Sequence, residues 1–159
     1  SDRMRFDLVI NFLTGQATTN KKITIEGGDQ WRPFIHVHDA ARAYLAALEK
    51  TPSKSNNILN LGGDDLNFQL KDIGNMVHKS IDNVKINFTK NIDRRNYRVS
   101  FAKIGKILKF EPEKTVDDGV REISSALKSR KIQNWKNPIY YNNKFPFIGI
   151  SKLSKYYWQ

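Results

Sequence analysis

Residues 30–43 read QWRPFIHVHDAARA, and three structural signals follow one another along this stretch. A turn at Gly27-Gly28 leads into it and presents Arg32, after which the apolar run 34–37 predicts a short buried strand. Asp39 is then expected to cap the start of an alanine-rich helix. Because a rigid backbone fixes the planar fork of a guanidinium, an arginine beside a turn suits an anion, and Arg32 is the first candidate for binding one.

The rest of the chain alternates between helical and extended patterns. Apolar residues at helical spacing predict five helices, which begin near residues 5, 39, 67, 100 and 115. The second of these helices carries Ala41, Tyr44, Leu45 and Leu48 on one face. Strands are predicted over residues 22–26, 34–37, 57–61 and 85–88. Mixed helices and short strands indicate an α/β fold.

The composition excludes several classes of protein. The 159 residues contain no cysteine and carry a formal net charge of +11. Without cysteine there are neither disulfides nor thiolate metal sites, and no apolar run approaches the roughly 18 residues that a membrane span needs. We therefore expect no membrane partner and a cytoplasmic location.

The C-terminal part, residues 123–159, holds seven lysines and arginines, eight aromatic residues and no acid. One interpretation is a small nucleic-acid-binding or protein-interaction domain, in which lysines contact phosphates and aromatic rings stack on bases. The other is an arm that lays its aromatic side chains on the body of the protein and makes no specific nucleic-acid contact. No RNA-binding motif accompanies this composition, which favours the arm.

Five motifs, in order, resemble those of the extended short-chain dehydrogenase/reductases, the NAD-dependent sugar-nucleotide epimerases and dehydratases. Residues 30–43 resemble the family's RPFIHVxDvArA segment. The other four resemble its RmrfDlvvN, yNigg, dRxYxvsxxKi and tvedGire segments, and they lie at residues 3–11, 60–63, 93–104 and 115–122. The resemblance implies an α/β substrate-binding lobe from the C-terminal portion of such an enzyme. Residues 1–141 would form that nucleotide-sugar-binding lobe, and residues 142–159 a basic, aromatic extension.

The resemblance also implies roles for particular residues. Arg32 and Arg95 would hold the diphosphate of a nucleotide sugar, and Arg94 could assist them. Arg3 would reach the phosphate region from the first helix, and Asn11 is a further candidate. Similar RmrfDlvvN helices occur in members that modify nucleotide sugars for surface polysaccharides, which suggests that pathway class.

The family's cofactor and catalytic motifs are expected in a missing N-terminal half. No predicted strand here is followed by a GxGxxG turn, and Asp64-Asp65 comes directly after Gly62-Gly63. The match to the family's Tyr-x-x-x-Lys pair, Tyr140 to Lys144, lies between two prolines, and we interpret it as coincidence. We therefore assign no catalytic residue and no bound cofactor to this chain, and NAD(P) and homodimer formation to the complete enzyme. The chain would be inactive alone, whether it is a fragment, a split-gene product or an excised domain.

Two histidines in the opening motif raise the question of a metal site. His36 and His38 lie two residues apart and precede Asp39. One such spacing without a third partner is too little for a metal site. We expect His36 to be a packed or hydrogen-bonded residue and His38 to be exposed, with no metal bound.

Overall fold

The computed structural model describes residues 3–50, 58–90 and 95–142. Five helices are present in this part of the chain: α1 (Val9–Asn20), α2 (Val37–Lys50), α3 (Leu70–Ser80), α4 (Ala102–Leu108) and α5 (Val116–Lys128). The strands there are β1 (Lys22–Glu26), β2 (Trp31–Pro33), β3 (Asn67–Gln69) and β4 (Lys85–Thr89). The prediction of a mixed α/β fold is confirmed.

The strands form two small sheets. β1 and β4 pair in parallel, with Ile23 opposite Ile86, and β2 and β3 pair antiparallel, with Arg32 opposite Phe68. Helices α1, α3 and α5 pack with β1 around the main core, which contains Leu13, Ile23, Ile73, Val77 and Val120. The short antiparallel pair therefore holds Arg32 on a fixed strand beside this core.

Gly74 allows helix α3 to lie close to strand β1. A Cβ atom at this position would overlap Cδ1 of Ile25, whose side chain is itself buried in the core. Glycine is therefore required here by the close approach of helix and strand, and helix propensity is secondary.

The opening motif folds differently from its prediction. The strand is Trp31–Pro33 and not 34–37, because α2 already begins at Val37 and the half-buried residues 34–36 line a cavity beside it. Asp39 is the third residue of α2 and not its cap. Its side chain is completely buried and accepts hydrogen bonds from a distant loop, which a local pattern does not reveal.

Three other predicted helix starts also move. The first helix begins at Val9 and not near residue 5. Asn67 belongs to strand β3, and α3 begins at Leu70 with a capping box formed by Gln69 and Asp72. Helix α4 follows Phe101, and Ser100 is not its N-cap residue. Helix α5 follows its prediction, because Thr115 accepts a hydrogen bond from the backbone of Asp118 and completes a capping box.

The apolar face predicted for α2 is on the outside of the described structure. Ala41, Tyr44, Leu45 and Leu48 are all exposed, with 71% of Tyr44 and 82% of Leu48 accessible to solvent. The opposite, alanine-rich side packs through Ala43 on a cluster that includes Phe101 and Leu108. Small side chains there let α2 approach α4 closely, so the larger apolar residues point away from the core.

The predicted strand 57–61 is absent from the part that the structure describes. Residue 57 lies outside the described residues, and residues 58–61 have no regular secondary structure. Ile58 is 87% exposed. An apolar segment of this kind becomes a buried strand only where a neighbouring strand is available to pair with it.

The end of the described chain packs on the segment just before α1. Trp135 and Tyr141 are buried against Phe6, and the Phe6 backbone N–H donates to the carbonyl of Tyr140 at 2.9 Å. Residues 143–159, with Lys144 and the other five aromatic side chains of the tail, lie outside the described residues. The choice between an arm and a nucleic-acid-binding tail therefore stays a prediction.

Within the described ranges, no helix has both the length and the apolar character that crossing a membrane requires.

Candidate functional site

Arg32 and Arg95 come together at the edge of the antiparallel sheet. Strand β2 carries Arg32, whose Nη1 donates to the carbonyl of Trp31 at 2.7 Å and also to the carbonyl of Arg95. The Arg32 guanidinium lies over the ring of Tyr97, 5.3 Å from its centroid. Backbone hydrogen bonds and an aromatic face thus fix the planar group, which suits it to an anion of defined geometry.

The segment that carries Arg95 lies along strand β2. The Trp31 backbone N–H donates to Oδ1 of Asn96 at 2.9 Å, and the Tyr97 N–H donates to the Trp31 carbonyl at 3.4 Å. Arg98 stacks on the Trp31 ring at 4.6 Å. We call residues 95–99 the arginine segment, and together with Arg32 they form the arginine site.

Arg94, the predicted assisting residue, lies outside the described residues. The side chain of Arg95 is exposed, and that of Arg32 is half-buried. The described part of the arginine site therefore presents cationic side chains at the surface on a backbone that is held by hydrogen bonds.

Arg3 and Asn11 lie at a second place, a cavity of about 240 Å³. Asn11 is on α1, but Arg3 lies in the segment before this helix and not on it as predicted. Arg3 Nε donates to the carbonyl of Ile139 at 2.7 Å and its Nη2 to Oδ1 of Asn142 at 2.8 Å. Asn11 donates to the carbonyl of Arg5 at 3.0 Å. Among the described residues, both Arg3 and Asn11 line the cavity, whereas Arg32 and Arg95 do not.

The cavity is lined by both apolar and polar side chains. Phe34, Ile35 and Val37 contribute apolar surface. Among the polar lining residues, His36 Nε2 lies 3.2 Å from Oε2 of Glu122. Nδ1 of His36 accepts the backbone N–H of His38 at 3.2 Å, so in the neutral ring the proton is on Nε2 and points at Glu122. The volume is below the range of about 300–1,000 Å³ that is typical of small-molecule sites, so the cavity suits part of a ligand.

Asp39 ties α2 to the loop before α5. Its carboxylate accepts from the backbone of Lys114 at 2.9 Å and of Glu113 at 3.2 Å, and from Arg42 Nη1 at 2.8 Å. Burial by itself would raise the pKa of this carboxyl, but the hydrogen bonds outweigh it and hold the pKa below its ordinary value. The charged form of Asp39 is therefore the one that the fold stabilises.

His38, Asp39 and Glu113 bring their possible ligand atoms within 4.8 Å of one another. Arg42, however, already bridges the two carboxylates, at 2.8 Å from Asp39 and 2.5 Å from Glu113. A metal ion would have to displace this guanidinium, so the arrangement fits an arginine–carboxylate cluster better than a metal site.

Comparison with known proteins adds the family context. Residues 1–62 match the model of the NAD dependent epimerase/dehydratase family. A UDP-glucuronic acid 4-epimerase from Bacillus cereus, solved with UDP-glucuronic acid and NAD, superposes with a TM-score of 0.67 at 26% identity, over 79% of this chain and 41% of that one. The chain therefore has an NAD-dependent sugar epimerase/dehydratase-like fold.

Two more distant structures share the same fold. RMD from Pseudomonas aeruginosa, complexed with NADPH, has a TM-score of 0.67 at 20% identity, over 79% of this chain and 44% of that one. An ADP-L-glycero-D-manno-heptose-6-epimerase from Helicobacter pylori has a TM-score of 0.64 at 16% identity, over 76% of this chain and 37% of that one. The chain thus spans about two fifths of the length of the structures it matches.

The family match covers only some of the candidate residues. Arg3, Asn11 and Arg32 lie inside the matched range, and Arg95 lies outside it. Sequence reasoning missed the burial of Asp39 and the side chain of Asn67, which binds the arginine segment. Neither has a local signature, because in each case the partner is more than 30 residues away.

Proposed function

We propose that this chain is the nucleotide-sugar-binding, C-terminal portion of an NAD(P)-dependent sugar epimerase or dehydratase. It would act in the cytoplasm, in nucleotide-sugar or surface polysaccharide biosynthesis, and would be inactive alone. The observation that carries the proposal is the arginine site, where Arg32 lies on strand β2 and its guanidinium donates a hydrogen bond to the backbone carbonyl of Arg95.

A diphosphate is the ligand class that this site fits best. It carries about two negative charges, and a guanidinium binds phosphate oxygens through two parallel N–H bonds. Arg32 and Arg95 would hold the diphosphate, with Arg94 assisting. A substrate anchored in this way has its sugar positioned for a reaction elsewhere, so the binding energy of a remote group serves catalysis.

Arg3 and Asn11 would contribute from the cavity. Arg3 is already bonded to Ile139 and Asn142, and a guanidinium has five N–H groups. In this proposal the cavity takes an end of the substrate that extends beyond the diphosphate. Its size and its mixed apolar and polar lining fit such a fragment.

The Gly62-Gly63 turn does not fit a dinucleotide cofactor. A Cβ at Gly62 would lie 2.6 Å from Phe101 Cε1, and one at Gly63 would lie 3.1 Å from Pro112 Cγ, so both glycines face protein atoms. Asp64 follows and accepts the Phe101 backbone N–H at 2.8 Å. A carboxylate there also repels a pyrophosphate. We therefore assign NAD(P) and the hydride and proton chemistry to a separate, N-terminal half.

The exposed face of α2 supports the existence of such a half. Val37, Ala41, Tyr44, Leu45 and Leu48 follow one another along a single side of α2, which we call the α2 stripe. Contiguous exposed apolar surface of this kind marks an interaction site. The matched enzymes are more than twice as long as the part of each that aligns with this chain. The remaining part of such an enzyme would cover the α2 stripe. Homodimer formation belongs to the same proposed complete enzyme.

Calorimetric titration of the 159-residue chain with UDP, dTDP, GDP and ADP tests the proposal, with the matching nucleosides as ligands without phosphate. At least one nucleoside diphosphate should bind saturably, and more tightly than its nucleoside. Arg32→Ala and Arg95→Ala should each weaken that binding by about 1.5–3 kcal/mol, the range for hydrogen bonds to charged groups.

Arg121→Ala is the matched control, because Arg121 is an exposed arginine paired with Asp118 on α5. It should leave the affinity unchanged. NAD should show no saturable binding. Full affinity in both site variants, or saturable NAD binding, would contradict the assignment.

A further inference from the structure

We propose that Asn67 is a positioning residue, whose side-chain amide holds the arginine segment in register with Arg32 so that both cations meet one diphosphate. The inference rests on the proposed function, because it concerns how that binding site is kept in shape. Asn67 itself is only 7% exposed and would not touch the ligand.

The amide of Asn67 pairs with both backbone groups of a single residue. The Val99 N–H donates to Oδ1 of Asn67 at 2.9 Å, and Nδ2 of Asn67 donates to the Val99 carbonyl at 3.0 Å. Nδ2 also donates to the carbonyl of Asp64 at 3.1 Å. One side chain thus replaces the neighbouring strand that residue 99 would otherwise need.

The position of Asn67 connects the two arginines through rigid structure. Asn67 is the first residue of β3 and lies opposite Pro33, next to the pair formed by Arg32 and Phe68. Val99 is the last residue of the arginine segment, four residues after Arg95. The hydrogen bonds of Asn67 therefore join the strand pair that carries Arg32 to the segment that carries Arg95.

The arginine segment contacts β2 mainly through side chains, with Asn96 Oδ1 on the Trp31 N–H and Arg32 on the Arg95 carbonyl. Asn67 adds the bonds that hold both backbone groups of Val99. Residues 95–99 have no regular secondary structure, and residues 95–98 are exposed. Their backbone contact with β2, from Tyr97 to Trp31, is long at 3.4 Å. A cation on a loosely held segment loses conformational freedom when it binds an anion, and a pre-formed segment avoids much of that cost.

The chemistry of the contact is specific to asparagine. Leucine has a similar volume but neither a donor nor an acceptor. Aspartate keeps the acceptor for the Val99 N–H but faces two carbonyl oxygens without a donor. Leucine therefore removes all of the hydrogen bonds of the Asn67 side chain, whereas aspartate removes only those in which this side chain donates.

The test is titration of the 159-residue chain with inorganic pyrophosphate, which presents the diphosphate without a base or a sugar. Asn67→Leu should weaken pyrophosphate binding about tenfold, by analogy with the lower end of the loss that follows removal of an outer-shell partner at metal sites. Hydrogen exchange of the Val99 amide should become faster in the same variant. Asn60→Ala is the control, because the exposed Asn60 donates to the nearby carbonyl of Ser100 at 3.2 Å and should leave the affinity within twofold.

A double-mutant cycle separates positioning from general stability. In an Arg95→Ala background, Asn67→Leu should weaken the remaining affinity by less than twofold, because the group that it positions is gone. A full tenfold loss in that background, or unchanged affinity despite faster exchange at Val99, would show that Asn67 has only a structural role.

If the leucine variant does not fold, Asn67→Asp is measured in its place. The affinity of the aspartate variant should lie between that of wild type and the tenfold weaker value expected for Asn67→Leu. Affinity in the aspartate variant equal to wild type would overturn the inference. Failure of the proposed function is recognised separately: the unmodified chain would then bind neither pyrophosphate nor any nucleoside diphosphate, which would refute both proposals.

Discussion

Replacing Asp39 by asparagine tests how the fold holds the start of α2. The carboxylate accepts from the backbones of Glu113 and Lys114 and from Arg42, and its side chain has no exposed surface. Asparagine has nearly the same shape but only one acceptor oxygen, so its NH₂ group must face one of these donors. The variant therefore loses hydrogen bonds without creating a cavity.

The magnitude follows from the number and type of the bonds lost. A hydrogen bond to a charged group contributes about 1.5–3 kcal/mol, and a buried donor left without a partner costs a similar amount. With one or two donors deprived of an acceptor, the free energy of unfolding should fall by about 3 kcal/mol at pH 7. Losses of this size are a large fraction of the stability of an ordinary domain.

The effect should depend on pH. The pKa of Asp39 is lowered from 3.8 in the folded state, because its hydrogen bonds outweigh the effect of burial. A carboxyl with a lowered folded pKa stabilises the fold above its unfolded pKa and loses that contribution as the pH falls through the folded value. The difference between wild type and Asp39→Asn should therefore be full at pH 7 and shrink below pH 3.8.

Urea unfolding followed by tryptophan fluorescence at pH 7, 5 and 3 measures this difference. Asp117→Asn is the control, because Asp117 is exposed and its contact is a hydrogen bond from Ser80 at 3.3 Å. It should change the stability by less than about 0.5 kcal/mol. A loss below about 1 kcal/mol for Asp39→Asn, or a loss that is the same at pH 3 as at pH 7, would refute the reasoning.

Two further predictions concern packing. Gly74→Ala should destabilise the protein by about 1–3 kcal/mol in urea unfolding because its Cβ would overlap Ile25, whereas Gly105→Ala, where the nearest atom is 3.8 Å from the new Cβ, should be neutral or stabilising by up to about 1 kcal/mol. Equal effects at the two glycines would contradict the close approach of α3 and β1. Leu45→Lys combined with Leu48→Lys should lower the fluorescence of a bound hydrophobic dye and leave the free energy of unfolding within about 0.5 kcal/mol, whereas a large loss of stability would show that the α2 stripe is buried.

Elements with a complete local signal could be predicted from the sequence. Strand β1 alternates apolar Ile23 and Ile25 with polar residues, and its predicted bounds agree with the structure. Helix α5 begins with a capping box at Thr115, which needs only residues three apart. Both signals lie within a few residues, so no knowledge of the surroundings is needed to interpret them.

Features that depend on distant partners could not be predicted. The apolar run 34–37 contains strand-forming residues, but whether they form a strand depends on a pairing partner. The neighbouring strand β3 pairs instead with Trp31–Pro33. Asp39 has the residue type of a helix cap, yet its partners are 74 and 75 residues away. For the candidate site, the turn identified Arg32, whereas its contact with the carbonyl of Arg95 is known only from the structure.

The α2 stripe shows what a correct pattern leaves undetermined. The spacing placed Tyr44, Leu45 and Leu48 on one face, and they share one face, but it is the exposed one. Burying each large apolar side chain contributes about 1.5–3 kcal/mol, so covering these three would contribute on the order of 5 kcal/mol. That is comparable to the whole stability of a small domain. In the proposed complete enzyme, the same contact would stabilise this portion and fix the arginine site relative to the cofactor, so folding and substrate orientation would depend on one interface.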